Sequence, residues 1–300
     1  MRAHKQHQLT SFETGSFKSF DGTSIYYEVH GQGEPIVFVY GIACLLNHWK
    51  YQIDHFSKTN KVIVFDLRGH HQSSAPAENQ NLTLAAIGKD ISGLMRTLGL
   101  KRAHFVGHSF GVPAMLSAYS ESPSMFKSLS FINGFSKNPI KGMFGLDVVE
   151  PLFHLIKSQF TKNPLLWNSF WRAVIDNQAA MFLSTLAGGF NFQLTPFKDI
   201  EIYAKGVSHI PLEIFLPLFE DMMHFNGDAI AEQIDRPTLI LSGTNDMVTP
   251  QKFQTALHDR IKDSVFIKIP YGSHCCQLDF PDYVNLKLAD FFETTRDSVE

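Results

Sequence analysis

The 300-residue chain is poor in the features that mark several classes of protein. Its three cysteines, Cys44, Cys275 and Cys276, are too few for a disulfide framework, and a bridge between the adjacent pair would be strained. A reduced, cytoplasmic setting is therefore expected. A formal charge of -3 leaves no excess of either sign, so neither nucleic acid nor an anionic membrane surface is expected as a partner. Residues 1–15 form a polar, histidine-rich tail without an apolar block, which predicts no leader peptide and no stable membrane insertion. There is no internal repeat, no low-complexity tract and no dinucleotide-binding glycine fingerprint, and no cofactor is expected. His70-His71 and His4/His7 lack a carboxylate or cysteine at ligand spacing; no metal is expected there, and they are read as surface or tail residues.

What the chain does have is a rhythm. Two short strands at residues 16–20 and 23–29 flank the turn Asp21-Gly22. Continuous apolar runs follow at residues 36–40, 62–65, 103–106, 129–132, 238–241 and 265–269, as strands buried on both faces require. Helix signals separate them. Thr83 can cap a helix whose apolar positions are Ile87, Ile91, Leu94, Met95 and Leu98, and Gly99 ends it. Strands alternating with helices imply right-handed crossovers and a mostly parallel, doubly wound α/β sheet.

The rhythm breaks over residues 134–226. Twelve of the 27 phenylalanines lie between residues 135 and 226, with Trp167 and Trp171 among them, and Pro164, Pro196, Pro211 and Pro217 interrupt helical patches. The segment is too long for a connection and too apolar for a linker. It reads as a helical lid packed over the carboxyl edge of a core formed by residues 16–133 and 227–300. Its aromatics could line a greasy pocket or simply form the lid's own core.

The densest chemical signal is Gly107-His108-Ser109-Phe110-Gly111, set between an apolar strand and a helix. A serine at the tip of so sharp a turn needs glycines on either side, because a Cβ there would strike the neighbouring strand or helix. A serine hydroxyl is a poor nucleophile until a base removes its proton and a third group orients that base. Asp246 stands in the loop after the run at 238–241, and His274 in the loop after 265–269. In a parallel sheet all such loops emerge at one edge.

These residues resemble the α/β-hydrolase superfamily, in its branch with an inserted helical cap, over about residues 16–294. The features are the Ser109 pentapeptide, Asp66-Leu67-Arg68-Gly69, the pair Gly243 and Asp246, and Gly272-Ser273-His274 followed by Phe280-Pro281. The resemblance implies Ser109 as nucleophile, His274 as general base and acid, and Asp246 as the orienting acid. It also implies an oxyanion hole from the backbone N–H groups of Ile42 and Phe110. Relatives usually carry histidine where this chain has Tyr40, so the Tyr40 hydroxyl becomes a possible extra donor.

A serine nucleophile rather than a carboxylate disfavours epoxide hydrolase and dehalogenase chemistry. The expectation is a serine esterase, carboxylesterase- or lipase-like, acting on small to medium apolar acyl substrates, its partner being a small-molecule ester. Thioester, lactone or C–C hydrolysis, acyl transfer, and slow-turnover ligand reception on the same fold are the alternatives.

Overall fold

In a computed structural model that describes residues 12–145, 147–179, 181–182 and 188–295, eight strands form one sheet. They are β1 (Phe12–Lys18), β2 (Ser24–His30), β3 (Glu34–Val39), β4 (Asn60–Phe65), β5 (Ala103–His108), β6 (Phe126–Ile132), β7 (Thr238–Gly243) and β8 (Val265–Ile269). Their order across the sheet is β1-β2-β4-β3-β5-β6-β7-β8, with β1 and β2 antiparallel to their neighbours and β3 to β8 all parallel. The apolar runs of β3, β4, β5 and β7 are buried almost throughout, because helices cover both faces of the sheet. At the edge, β8 is largely open to solvent.

The core helices are α1 (Lys50–Phe56), α2 (Leu84–Thr97) and α3 (Gly111–Glu121), with further helices after the insertion described below. Thr83 caps α2 by accepting from the Ala86 N–H at 3.1 Å, and Gly99 leaves the helix at φ +64°. Beside α2, Arg68 is wholly buried. Its guanidinium bonds Asp90 at 2.6 and 2.8 Å and Asp21 at 2.9 Å, tying the β1–β2 turn to the helix.

One boundary differs from the sequence expectation. Residues 12–15, expected in the polar tail, form the first half of β1 and pair with residues 27–30. Phe12-Glu13-Thr14-Gly15 carries no apolar run because an edge strand with exposed side chains needs none; the ladder to β2 holds it. Residues 1–11 lie outside the described residues.

Between β6 and β7 come α4 (Val149–Lys162), α5 (Pro164–Ile175), α6 (Phe197–Ser208) and α7 (Leu212–His224), followed by the short α8 (Asp228–Glu232). A β-bridge between Lys137 and Asn226 draws the two ends of this segment together. Its helices lie against loops at the carboxyl ends of the strands. A Cβ on Gly69 would strike Ile214, one on Gly206 would strike Leu45, and the Tyr203 hydroxyl sits 3.0 Å from Cys44 Sγ. After β7 come α9 (Lys252–Arg260), α10 (Cys276–Asp279) and α11 (Pro281–Thr294). No helix among the described residues is long and apolar enough to cross a membrane.

Candidate active site

Ser109 is the single residue between the end of β5 at His108 and Phe110, which caps α3, and its φ is +53°. A non-glycine residue in that region costs on the order of 1–3 kcal/mol and persists only where its surroundings over-determine it. Those surroundings are explicit. The Ser109 N–H donates to the Ile132 carbonyl at 3.0 Å, and the Val112 N–H returns to the Ser109 carbonyl at 3.0 Å. A Cβ on Gly107 would lie 2.5 Å from Met115 Sδ, and one on Gly111 only 2.2 Å from the Val39 carbonyl oxygen. The glycines allow α3 to approach β3 and β5 closely, which is what aims the turn.

Asp246 and His274 meet. His274 Nδ1 lies 2.9 Å from Asp246 Oδ2, with both side chains buried at the end of the sheet. The other Asp246 oxygen accepts from the backbone N–H groups of Val248 and Thr249, each at 2.8 Å, which fixes the orientation of the carboxylate. Thr249 Oγ1 sits 2.7 Å from Asp246 Oδ2, 2.8 Å from the Asn133 carbonyl and 3.2 Å from His274 Nδ1. Its single proton serves one of the two oxygens, and its lone pairs face the imidazole N–H. This arrangement makes Nδ1 the protonated nitrogen and leaves Nε2 as the basic one.

The residue before Ser109 contacts the candidate base: the His108 ring lies 4.7 Å from the His274 ring, and His108 Nε2 donates to the His274 carbonyl at 2.8 Å. Among the described residues the Ser109 hydroxyl has no hydrogen-bond partner, so no bond to the imidazole is made in this conformation. Such contacts often tighten only with substrate in place. Ser109 is 8% exposed.

The Ile42 and Phe110 N–H groups likewise have no acceptor among the described residues, and Gly41, next to Ile42, is close enough to the turn that a Cβ on it would lie 3.2 Å from Ser109 Cβ. Two unspent backbone donors therefore flank the serine. The Tyr40 hydroxyl is not a third. It donates to Asp66 Oδ1 at 3.0 Å and accepts from the Leu67 N–H at 2.9 Å, wholly buried on the side of β4. Its ring follows the strand's alternation, and the buried carboxylate claims its proton.

Several residues that hold the site were not visible in the sequence. Asn133, at φ +47° just past β6, donates to the carbonyls of Ser273 at 2.9 Å and His274 at 2.7 Å, and accepts from the Gly243 N–H at 2.8 Å. Asp279 accepts from the Ser273 N–H at 2.7 Å, from Thr195 Oγ1 at 2.5 Å and from the Asn191 N–H at 3.0 Å, joining the His274 loop to the inserted segment. The His274 N–H itself donates to the Gly188 carbonyl at 2.8 Å. An asparagine at the left-handed turn after a strand is the only signal that could have singled out Asn133.

Nor is His70 a surface residue, as its place in a polar stretch had suggested. It is fully buried, its Nε2 accepts from the Ala43 N–H at 3.0 Å, and burial pushes its pKa down to about 3. Burial likewise lowers His48 to about 3 and holds His108 well below the ordinary imidazole value, with nearby imidazoles adding to the effect. It raises the Cys275 and Cys276 thiols well above their ordinary value, so neither is a nucleophile at neutral pH.

The inserted aromatics divide between two fates. Phe153, Phe219, Phe215 and Trp171 follow one another at centroid distances of 5.4, 5.2 and 5.0 Å and extend the main hydrophobic core into the inserted segment. Phe190 and Phe192 instead line a cavity of about 490 Å³ with Asn245, Met247, Tyr271 and Ser273. It opens at the acid and base loops beside His274, yet neither Ser109 nor His274 lines it, so it is adjacent to the candidate centre rather than continuous with it.

The sheet order, the strained serine turn and the Asp246–His274 pair at the carboxyl edge define an α/β-hydrolase architecture. The family model for the alpha/beta hydrolase fold matches residues 34–281, and the chain belongs to that family. Among its relatives is RutD from a Caulobacter species, provisionally named a carbamate hydrolase, 25% identical over 275 residues covering 89% of this chain and 95% of that one. Solved structures of the same fold include the esterase EaEST from Exiguobacterium antarcticum, with a TM-score of 0.74, 17% identity and coverage of 93% of this chain and 98% of that one. The enol-lactonase from Burkholderia xenovorans aligns with a TM-score of 0.73 and 20% identity over 93% of this chain and 100% of that one.

Proposed function

We propose that the protein is a serine hydrolase that cleaves carboxylic esters of small to medium apolar acyl groups through an acyl-enzyme. The observation that carries the reading is the Asp246–His274 pair beside a serine whose backbone is held at φ +53°. His274 Nε2 takes the Ser109 proton as the hydroxyl attacks the carbonyl carbon. The developing oxyanion is received by the N–H groups of Ile42 and Phe110, each donor worth on the order of 10²–10³ in rate. His274 then protonates the leaving alcohol, and water deprotonated by the same nitrogen releases the acid. Asp246 stays ionised, holding the tautomer and balancing the imidazolium.

In this reading residues 134–226 act as a cap over the centre and supply apolar surroundings for the acyl group. Similarity to the RutD protein favours one variation, a carbamate in place of the ester, because the same attack and the same oxyanion serve both.

The test is a chain-length series of p-nitrophenyl esters, with a carbamate analogue, assayed on wild type and Ser109→Ala. Turnover that peaks at short to medium chains and vanishes in Ser109→Ala is the expected result. A fluorophosphonate that labels nothing, or labels a residue other than Ser109, overturns the assignment.

A further inference from the structure

Under the Ser109 turn lies a group of buried polar side chains that the reaction above does not use. Cys44, in the loop after β3, His48, in the 3-10 turn Leu46–Trp49, and His108, at the end of β5, each offer one ligand atom, and these atoms lie within 4.8 Å of one another. All three residues are at most 1% exposed. His48 Nδ1 and His108 Nδ1 are buried without any hydrogen-bond partner. A buried polar atom left without a partner is destabilising, so two beside one thiol require a reason.

The outer contacts decide what those nitrogens can do. His108 Nε2 donates to the His274 carbonyl, so its proton is on Nε2 and the Nδ1 lone pair is free. His48 Nε2 faces the Gln277 side-chain amide nitrogen, while the amide oxygen has no partner; turning that amide by 180° sets its oxygen against the ring, and Nε2 then donates and leaves the lone pair on Nδ1. This is how ligating imidazoles are held by their surroundings. A Cβ on Gly41 would lie 3.3 Å from both Cys44 Sγ and His108 Nδ1, so the two atoms flank one small space that glycine leaves open. On the far side, the Tyr203 hydroxyl from α6 is 3.0 Å from Cys44 Sγ.

We propose that Cys44 Sγ, His48 Nδ1 and His108 Nδ1 bind a thiophilic d10 cation, Zn2+, with the Tyr203 hydroxyl oxygen closing the fourth side. Zinc bonds of about 2.0–2.3 Å to nitrogen and sulfur place tetrahedral ligand atoms roughly 3.3–3.6 Å apart, so the ion draws the three groups together by about 1 Å. The Cys44 thiol gives its proton to solvent as the Zn–S bond forms, and the ion keeps its charge of two. The bound ion ties the Ile42 loop, the residue before Ser109 and helix α6 into one unit. His48 and Tyr203 also border a narrow crevice along the α6 seam, with Leu45, Asn47, Asp199 and Leu278.

The experiment strips the full chain with chelator and titrates it with Zn2+ alone and Co2+ alone. One equivalent per chain is expected, with a raised melting temperature and, for Co2+, a thiolate charge-transfer band with tetrahedral absorption. Cys44→Ser abolishes the band, His48→Gln weakens Zn2+ binding at least about 10-fold, and Cys275→Ser leaves both unchanged. If Cys44→Ser does not fold, X-ray absorption on the zinc-loaded wild type replaces it, with one sulfur and two nitrogens expected. No stoichiometric binding, a band that survives Cys44→Ser, or an all-oxygen shell overturns the site. Because the readouts are spectroscopic, they stand apart from the hydrolase reading.

Discussion

The Asn133 side chain donates to the His274 carbonyl at 2.7 Å while its own oxygen accepts from the Gly243 N–H at 2.8 Å. One amide thus spans the loop that carries the candidate base and the strand end that leads to the candidate acid. The two loops also bond directly, Asn245 N–H to the Gly272 carbonyl at 2.8 Å and Tyr271 N–H to Thr244 Oγ1 at 2.9 Å, but among these contacts the Asn133 amide is the one that bonds the His274 backbone itself.

Removing that clamp should cost activity more than fold. Asn133→Gly keeps the backbone at φ +47° comfortable and deletes only the amide. A loss of kcat on the order of 10²-fold is expected, the effect of misplacing a reacting group by about 1 Å. Asn133→Ala should lose the same activity and melt lower than the glycine variant. Ester turnover and thermal melts on both variants check this; wild-type kcat in Asn133→Gly would show that the loops hold themselves.

Tyr40→Phe should separate stability from chemistry. The phenol is spent on Asp66 and Leu67, so its loss leaves a buried carboxylate oxygen and a backbone N–H short of partners, costing about 1–3 kcal/mol. Turnover at a temperature well below the melt should be unchanged. A fall in kcat without loss of stability would return the hydroxyl to the reaction.

The strain at Ser109 has its own signature. Ser109→Gly and Ser109→Ala should both be inactive, but glycine accepts φ +53° without penalty, so it should be the more stable by about 1 kcal/mol. Denaturant midpoints for the two variants decide it, and an alanine variant as stable as the glycine one would mean the turn relaxes.

His70 should make the fold sensitive to mild acid. In the unfolded chain its imidazole titrates near 6.5, whereas burial, partly offset by its bond to the Arg68 carbonyl, holds it at about 3 in the folded protein. Between those values the unfolded state binds the extra proton, so stability falls as pH drops through the window, by about 1.4 kcal/mol per pH unit for this one group. Urea unfolding at pH 7 and pH 5 should show a smaller pH dependence for His70→Gln than for wild type. Equal dependence in the two would place the acid sensitivity elsewhere.

Much of this was legible before any coordinates. Apolar runs bounded by helix signals are local patterns, and β3, β4, β5 and β7 lie where those runs stand. The serine turn was legible for the same reason: the glycines, strand and helix that require each other are within ten residues. The chemistry that escaped depends on partners far apart in the chain. Phe12-Glu13-Thr14-Gly15 becomes a strand only because β2 offers a ladder. His70 looked like a surface residue until the Ala43 N–H claimed its ring. The Tyr40 hydroxyl could point to the serine or to Asp66, and nothing adjacent in sequence chooses between them.

By itself, then, the sequence determined the order of strands and helices, the sharp turn at Ser109 and the loops from which an acid and a base could emerge, since backbone periodicity and glycine sterics act over a few residues. Only the tertiary structure decided that Asp246 reaches His274, that Asn133 clamps their loops and that Cys44, His48 and His108 share one buried space. Each of those outcomes brings together buried polar groups from separate stretches of the chain, and burial sets that demand only once the sheet has closed.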